Sequence, residues 1–147
     1  MTPAILGLSH LSFSVRDLAA AKWFWVDVMG FELIDGRDEF CFVFERASRL
    51  AVVLSDHRGT VSGGFDEHNV GLDHVACAVS DVETLLTWGQ RLTGAGVSHS
   101  AIAESDGGHH LNLRALDNFP VELSVIKPEF ATALGVVGVE PVAATYQ

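Results

Sequence analysis

The chain has 147 residues, 48% of them hydrophobic, which is enough to fill the core of one domain. Nineteen acidic residues against nine basic ones give a formal net charge of −10, which disfavours binding to nucleic acid and to anionic membrane surfaces. No apolar run reaches the roughly 18 residues of a membrane-spanning helix, and no basic start precedes an apolar segment. We therefore expect a cytoplasmic protein that binds small molecules.

The chain contains two cysteines, Cys41 and Cys77, which are far apart and lie in strand-like runs. This number and spacing exclude a disulfide-stapled scaffold and a cysteine-rich zinc site. We expect both to be buried free thiols.

An internal repeat organises the chain. The sequence GLSHLSFSVRDL at residues 7–18 is echoed by GLDHVACAVSDV at residues 71–82, so that His74 follows His10 by 64 residues (74 − 10). Self-similarity at a fixed offset indicates two copies of one structural unit. We predict a single domain with module one at about residues 5–55, a linker at 56–70, module two at about 71–126 and a tail at 127–147.

Each module is predicted to begin with a strand and a helix. Asp17 and Asp81 stand where a carboxylate can cap the first helical turn. In module one the steps between Leu18, Ala21, Trp25 and Val28 place these residues on one helical stripe, and Gly30 and Gly94 are predicted to end the two helices in a left-handed conformation. Three further strands follow each helix, at residues 31–34, 39–45 and 50–54 in module one and at 97–103, 109–115 and 121–126 in module two.

The element order βαβββ, present twice, predicts the fold class. A four-stranded sheet that carries a single helix leaves its other face exposed to water, so two such sheets should combine. We therefore predict an α+β fold in which two βαβββ modules form a curved mixed sheet that encloses a cleft.

Three polar side chains are predicted to lie on the cleft face. Successive side chains of a strand point to opposite faces, so His10 and His74 lie opposite the apolar residues that pack under each helix. In the last strand Glu122 lies opposite a bulky apolar row. The apolar sets are Leu11, Phe13 and Val15 in the first strand, Val75, Cys77 and Val79 in the fifth, and Val121, Leu123 and Val125 in the last.

Two imidazoles and one carboxylate are suitable ligands for a divalent transition metal, and three protein ligands leave coordination positions open for a substrate. We therefore assign His10, His74 and Glu122 as metal ligands. The alternative is that each histidine is a hydrogen-bonded core residue and that Glu122 pairs with Arg114 or Arg91.

Further polar candidates lie in the seventh strand. If Leu111 and Leu113 face the helix, then His110, Asn112 and Arg114 face the cleft. His110 and Arg114 are candidate catalytic residues and Asn112 a candidate substrate-binding residue, although an edge strand with solvated polar side chains would show the same pattern.

The remaining histidines and the aromatic residues are less informative. His57 and His68 in the linker are expected at the surface, and the pattern does not determine the side on which His99 lies. The alternating row Phe40, Phe42 and Phe44 could line an apolar pocket, but such rows are more often core.

These residues also carry a resemblance to a known family. The pattern G-L-x-H-[LV]-x-x-x-V-x-D-[LV] in both modules, and its continuation into GFEL or GAGV, resemble the paired βαβββ modules of the vicinal oxygen chelate superfamily. That superfamily includes glyoxalases, bleomycin-resistance proteins and extradiol dioxygenases. The stretch LRALDNFPVEL at residues 113–123 resembles the family ending F-x-D-P-D-G-x-x-x-E-L, with Ala115 and Leu116 in place of Asp-Pro. The resemblance covers residues 5–126.

The resemblance implies that the family's metal ligands fall on His10, His74 and Glu122. The strand LAVVL at residues 50–54 lacks the additional Glu or Gln of four-ligand glyoxalases and epimerases, which favours the three-ligand pattern of extradiol dioxygenases and fosfomycin-modifying transferases. The dioxygenase motif H-x-x-Y is absent ahead of the ligand Glu, because the one tyrosine is Tyr146, in the tail.

The transferase pattern is also incomplete. Residues 97–126 offer one arginine and no lysine, Arg114, where those transferases use a cluster of Lys, Arg and Ser for the phosphonate. Ser12 matches the position of a hydroxyl donor in the transferases and is a candidate substrate-binding residue.

We therefore expect a metal-dependent enzyme that binds neighbouring oxygens of a small organic substrate, with dioxygenase, isomerase, lyase or transferase-like chemistry. Fe(II) is the first expectation for the ion, followed by Mn(II), Zn(II) or Ni(II). The alternative is a drug-binding protein, similar to bleomycin-resistance proteins, that sequesters its ligand without catalysis. The pairing of chains within the family implies a homodimer, with Trp23 at the contact.

Overall fold

The structure, a computed structural model, describes residues 2–4 and 7–134. The chain divides into two compact units, Met1–Ser62 and Gly63–Gln147, which we call unit 1 and unit 2. The boundary lies inside the predicted linker. Each unit has its own four-stranded mixed sheet and follows the order βαβββ. The predicted α+β class and the two modules are confirmed.

In unit 1 the sheet has the order β1-β4-β3-β2, with β1 parallel to β4 and the other neighbours antiparallel. The helix α1 widens at its end into one π-helical turn. The elements are β1 (Leu11–Ser14), α1 (Leu18–Trp23, with the π turn over Phe24–Val28), β2 (Glu32–Gly36), β3 (Phe40–Glu45) and β4 (Leu50–Ser55).

In unit 2 the sheet order is β5-β8-β7-β6, again with the first pair parallel. The two sheets therefore have the same topology, as the sequence repeat requires. The elements are β5 (Val75–Ala78), α2 (Val82–Gly94), β6 (Ala103–Ser105), β7 (Gly108–Arg114), a 3-10 turn (Leu116–Asn118), β8 (Pro120–Ile126) and α3 (Pro128–Leu134).

Both helices begin at the predicted caps. The Asp17 carboxylate accepts a hydrogen bond of 2.9 Å from the Ala20 amide. The Asp81 carboxylate accepts from the amide and the hydroxyl of Thr84, each at 2.7 Å, and these bonds lower the pKa of Asp81. Each aspartate thus satisfies an amide that the first helical turn leaves without a partner.

The helix of unit 1 packs on its sheet through the predicted stripe. Ala21, Trp25 and Val28 are buried. The Trp25 ring meets the edge of Phe31 with 4.9 Å between centroids and stacks near Phe13 at 5.7 Å. Apolar area removed from water in this way is the main contribution to the stability of such a unit.

One predicted helix end is wrong. Gly30 has φ of +81°, as expected of a left-handed stop, but Gly94 is the last residue of α2, and the positive φ of +71° belongs to Gly96. The helical hydrogen bonding continues because the Ala95 amide still donates to the Arg91 carbonyl at 3.0 Å. The stop therefore comes two residues later than in unit 1.

The predicted strand at residues 97–103 is also wrong. A single bridge joins His99 to Leu113, and the regular strand covers only Ala103–Ser105. The Ser100 hydroxyl accepts the hydrogen bond of the Asn112 amide at 3.0 Å. A side-chain oxygen thus takes the place of a backbone carbonyl and interrupts the ladder.

Cys41 and Cys77 are both free thiols; Cys41 is buried, as predicted, whereas Cys77 is only half-buried. Of the predicted tail, α3 occupies the first part, and residues 135–147 lie outside the described residues. Within the described part of the chain, no helix combines the length and the apolar character needed to cross a bilayer.

Candidate functional site

The sheet of unit 1 has one packed face and one open face. Val15 is buried and Leu11 and Phe13 are half-buried, whereas His10, Ser12 and Ser14 are exposed. The alternation predicted for the first strand is confirmed. The packed face continues through Cys41, Val43, Val52 and Leu54, each no more than 2% exposed.

The phenylalanine row of β3 lies on the open face of unit 1. Phe42 pairs in register with Val53, and Val53 pairs with Ser12, so the three side chains share a face. Phe40 and Phe44 lie on the same side by alternation, and all three rings are half-buried. The interpretation of this row as core is therefore wrong: the intervening residues form the core, and the rings give the face of Ser12 an apolar, aromatic surface.

The sheet of unit 2 repeats this division. Leu111, Leu113, Val121 and Leu123 are buried, as predicted for the helix side. On the other face Glu122 pairs in register with Ala76 of β5 and Asn112 of β7. His110 and Arg114 lie two residues to either side of Asn112, so the polar side chains of β7 share the face of Glu122.

The two repeated histidines have matching local environments. In unit 1 the Ser9 hydroxyl lies 3.1 Å from His10 Nδ1, and in unit 2 the Asp73 carboxylate lies 2.5 Å from His74 Nδ1. In each case the preceding residue lies within hydrogen-bonding distance of Nδ1, and Nε2 has no hydrogen-bond partner within the described residues. A partner on one ring nitrogen orients the imidazole, and at His74 the carboxylate, which can only accept, favours the tautomer with the proton on Nδ1.

Glu122 is half-buried, and no side chain in the described part of unit 2 forms a hydrogen bond or ion pair with its carboxylate. The alternative pairing with Arg114 is wrong, because Arg114 engages a different acid. Arg91 places its guanidinium over the Trp88 ring, 5.9 Å from the centroid. A half-buried carboxylate without such a partner can bind a cation or accept a hydrogen bond from a ligand.

Arg114 forms a bidentate ion pair with Glu67, a residue of the predicted linker. Its guanidinium donates to the two carboxylate oxygens at 2.6 and 3.1 Å and also to the Asn118 carbonyl at 3.1 Å. The hydrogen bonds from Arg114 lower the pKa of Glu67 to about 2. Sequence reasoning missed Glu67, because the two residues are 47 positions apart and no local pattern links them.

This shift gives a testable pH dependence. Since the pKa of Glu67 is depressed from 4.5 to about 2, the pair stabilises the fold fully above pH 4.5, and this contribution is lost as the pH falls through about 2. We expect a carbon-detected NMR titration to show Glu67 titrating near pH 2 in the wild type and near its ordinary value in Arg114→Gln. A wild-type Glu67 that titrates near 4.5 would show that the pair does not form in solution.

A cavity of about 470 Å³ opens on this part of unit 2. His99 lies in its wall, with its two ring nitrogens 2.9 Å from the Thr93 hydroxyl and 2.8 Å from the Ser100 carbonyl. The lining residues are Glu67, Asp73, His74, Ser98, His99, Ser100, Asn112, Leu113, Arg114 and Pro120. The candidate residues His74, Asn112 and Arg114 thus share one cavity.

Two other histidines lie in the predicted linker. His57 Nε2 lies 3.0 Å from the Ser14 hydroxyl, and His68 Nδ1 lies 2.9 Å from the Asp66 carboxylate; both side chains are exposed, as expected. Ligand atoms of Asp66, Glu67 and His68 lie within 4.8 Å of one another, but exposed acidic groups of this kind are common without an ion.

Comparison with protein families identifies the superfamily of the chain. The sequence profile of the Glyoxalase/Bleomycin resistance protein/Dioxygenase superfamily matches residues 7–123. The chain belongs to this superfamily. No curated protein sequence matches the chain.

Solved structures share the fold. A glyoxylase/bleomycin resistance protein/dioxygenase domain from Frankia sp. EAN1pec is 29% identical with a TM-score of 0.77, over 84% of this chain and 100% of that one. The fosfomycin resistance protein FosX from Listeria monocytogenes, complexed with Mn(II) and sulfate, is 19% identical with a TM-score of 0.70, over 90% and 99%. TnmS3, an antibiotic-binding protein from Streptomyces sp. CB03234, is 20% identical with a TM-score of 0.67, over 86% and 100%.

Proposed function

We propose that the chain is a metal-dependent enzyme that binds two neighbouring oxygens of a small organic substrate, with His10, His74 and Glu122 as the protein ligands of the ion. We also propose that both units belong to a single domain, and that the protein acts as a cytoplasmic homodimer. Superfamily membership is compatible with this function, since some members are enzymes. Other members only bind their ligands.

The matched environment of the two histidines is the observation that carries the proposal. Each lies one residue before the first strand of its unit, and in each the preceding side chain lies within hydrogen-bonding distance of Nδ1, whereas Nε2 has no hydrogen-bond partner within the described residues. Core histidines would be buried between helix and sheet, whereas His10 and His74 are exposed. A duplicated environment of this kind is expected of a pair of ligands.

The donor set suits a divalent transition metal. Two neutral nitrogens and one anionic oxygen fit Fe(II), Mn(II), Zn(II) or Ni(II), and open positions remain for a substrate. Fe(II) is the first candidate for a set of two histidines and one carboxylate, and Mn(II) is the ion in the FosX complex. The half-buried Glu122 carboxylate, which pairs with no cation among the described residues of its unit, supplies the negative charge.

The ion would act as a Lewis acid that stabilises negative charge on the substrate oxygens. Proton transfer and hydrogen bonding to the substrate are assigned to side chains on the face of Ser12 in unit 1 and the face of Asn112 in unit 2. His110, which lies on the same face as Asn112, is the candidate general acid or base, and Ser12 and Asn112 offer neutral hydrogen bonds to a substrate oxygen. Arg114 is a catalytic candidate whose charge is already engaged by Glu67.

A second candidate function is sequestration of an antibiotic or another aromatic compound without catalysis. The half-buried aromatic row Phe40, Phe42 and Phe44 favours it, because the accessible part of such rings can stack on a planar ligand. The similarity in fold to TnmS3 is consistent with this function.

Metal-dependent turnover distinguishes the two functions. We expect protein purified without chelator to contain about one ion per chain, and to convert at least one member of a panel of catechols, hemithioacetals and thiol-transfer substrates only when metal is present. Elemental analysis and product detection by mass spectrometry provide the measurements. A metal-free protein that binds an aromatic drug tightly and leaves it unchanged would favour sequestration.

A further inference from the structure

We propose that Glu67 is a specificity-determining residue that neutralises Arg114 and thereby reserves the cavity of unit 2 for an uncharged, hydrogen-bonding part of the ligand. Phosphate, phosphonate and other oxyanions are excluded. This proposal rests on the proposed function, because it takes the cavity to be a substrate site. It adds the class of chemical group that enters the cavity.

The acidic side chains in the wall of the cavity outnumber the arginine and lysine side chains. The wall contains two carboxylates, Glu67 and Asp73, and one guanidinium, Arg114. Residues 97–126 contain no second arginine or lysine. In the metal-free chain an entering oxyanion therefore meets more fixed negative than positive charge, and the repulsion is strongest where water is partly excluded.

The ion pair between Arg114 and Glu67 uses the end of the guanidinium group that an anionic ligand would bind. Both nitrogens at the end of Arg114 already donate to Glu67, and one of them also donates to the Asn118 carbonyl. This bidentate arrangement is the one a guanidinium offers to a carboxylate or a phosphate. Glu67 thus occupies, from within the chain, the position that an anionic ligand would need.

The segment that contains Glu67 is anchored, so the carboxylate does not move aside easily. The Phe65 amide donates to the Asp117 carbonyl at 2.7 Å, and the Asn118 side-chain amide donates to the Phe65 carbonyl at 3.2 Å. The Phe65 ring packs edge-on against buried Phe119 with 4.8 Å between centroids. These contacts fix the backbone two residues before Glu67 onto the turn between β7 and β8.

Neutral polar groups complete the cavity. Asn112 and Ser98 line it and are exposed, and within the described residues their side chains have no hydrogen-bond partner. An amide and a hydroxyl can each donate and accept. They therefore suit a hydroxyl, an amide or an ester oxygen of a ligand, whereas the charged groups of the wall are already paired.

The test compares a charged probe with its neutral counterpart, methylphosphonate with its dimethyl ester, on the chelator-treated full chain by calorimetric titration. In the wild type we expect the anion to bind no better than the ester. In Glu67→Gln we expect anion affinity to rise about tenfold or more and to exceed that of the ester, because a charged hydrogen bond becomes available. The double variant Glu67→Gln with Arg114→Gln should lose the gain.

A matched control removes a carboxylate elsewhere in the same unit. Glu104 pairs with Lys127 at 3.4 Å and does not line the cavity, so Glu104→Gln changes the net charge by the same amount and should leave anion affinity unchanged. The proposal is overturned if Glu67→Gln shows no gain, if Glu104→Gln gains as much, or if the double variant keeps the gain.

The wild-type protein gives an independent measurement if Glu67→Gln fails to fold. We expect methylphosphonate to leave the Arg114 Nε–H resonance unchanged, whereas saturable displacement of that resonance would overturn the proposal. No metal takes part in either titration. A chain that never binds metal therefore contradicts the proposed function alone, and a missing gain in Glu67→Gln contradicts only the assignment of Glu67.

Discussion

Replacement of His74 by alanine is expected to abolish stoichiometric binding of Mn(II) or Fe(II). Loss of an outer partner of a metal ligand typically lowers affinity 10- to 100-fold, so loss of the ligand itself should cost about 100-fold or more. The fold should remain intact, because His74 is exposed and its side chain contributes little apolar burial. Titration monitored by calorimetry or by electron paramagnetic resonance measures the affinity.

The matched control for this variant is His68→Ala. His68 is also an exposed histidine of unit 2 with a neighbouring aspartate on Nδ1, Asp66 at 2.9 Å, and it belongs to the other group of ligand-bearing side chains, with Asp66 and Glu67. We expect metal binding in His68→Ala to equal that of the wild type. If His68→Ala loses the ion and His74→Ala retains it, the metal is bound by the linker segment and the assignment of His74 is wrong.

Gly108→Ala is expected to cause the largest loss of stability of any small substitution considered for this chain. Gly108 has φ of +150°, and a Cβ added there would lie 1.9 Å from the Val125 carbonyl oxygen. The Cβ would be fixed to the backbone of β7 and the oxygen belongs to the backbone of β8, so relief of the clash requires these paired strands to separate. We expect the free energy of unfolding to fall by about 3 kcal/mol or more, measured by chemical denaturation.

The neighbouring glycine supplies the control. In Gly107→Ala the nearest atom to the new methyl group is the Ser105 hydroxyl at 3.9 Å, which is ordinary van der Waals contact. We expect a change within about 0.5 kcal/mol. Equal stability of the two variants would show that β7 does not begin with the backbone conformation described for Gly108.

The fold could be predicted from the sequence because its signals are local and occur twice. Alternation in the first strands, the caps Asp17 and Asp81 and the helical stripe of Trp25 each follow from spacing within a few residues. The repeat then required a common topology for both modules, which the two sheets have.

The errors arose where one local signal had two outcomes. Gly94 and Gly96 are both suitable helix stops, and the choice depends on how far α2 packs along its sheet. The strand at residues 97–103 has the right alternation, but the Ser100 hydroxyl competes for the Asn112 amide. For the row that includes Phe42 the core was the favoured of two interpretations, because alternation alone does not tell which of two apolar faces packs under the helix.

The candidate site was only partly predictable for a different reason. The common face of Glu122, Asn112 and Arg114 follows from strand alternation, and the register of β7 and β8 places the three residues on one face of the sheet of unit 2. The partner of Arg114 does not follow, because Glu67 reaches it from a linker whose path over the sheet depends on the anchoring of Phe65. Contacts between a loop and a distant strand leave no periodic pattern in the sequence.

The most direct test of the metal assignment is a crystal of the full chain grown with Mn(II), with diffraction measured on both sides of the manganese absorption edge. The proposal predicts one anomalous peak per chain, within coordination distance of His10, His74 and Glu122. A peak at Asp66 and His68, or a fully occupied manganese site that none of the three proposed ligands contacts, would contradict the proposal.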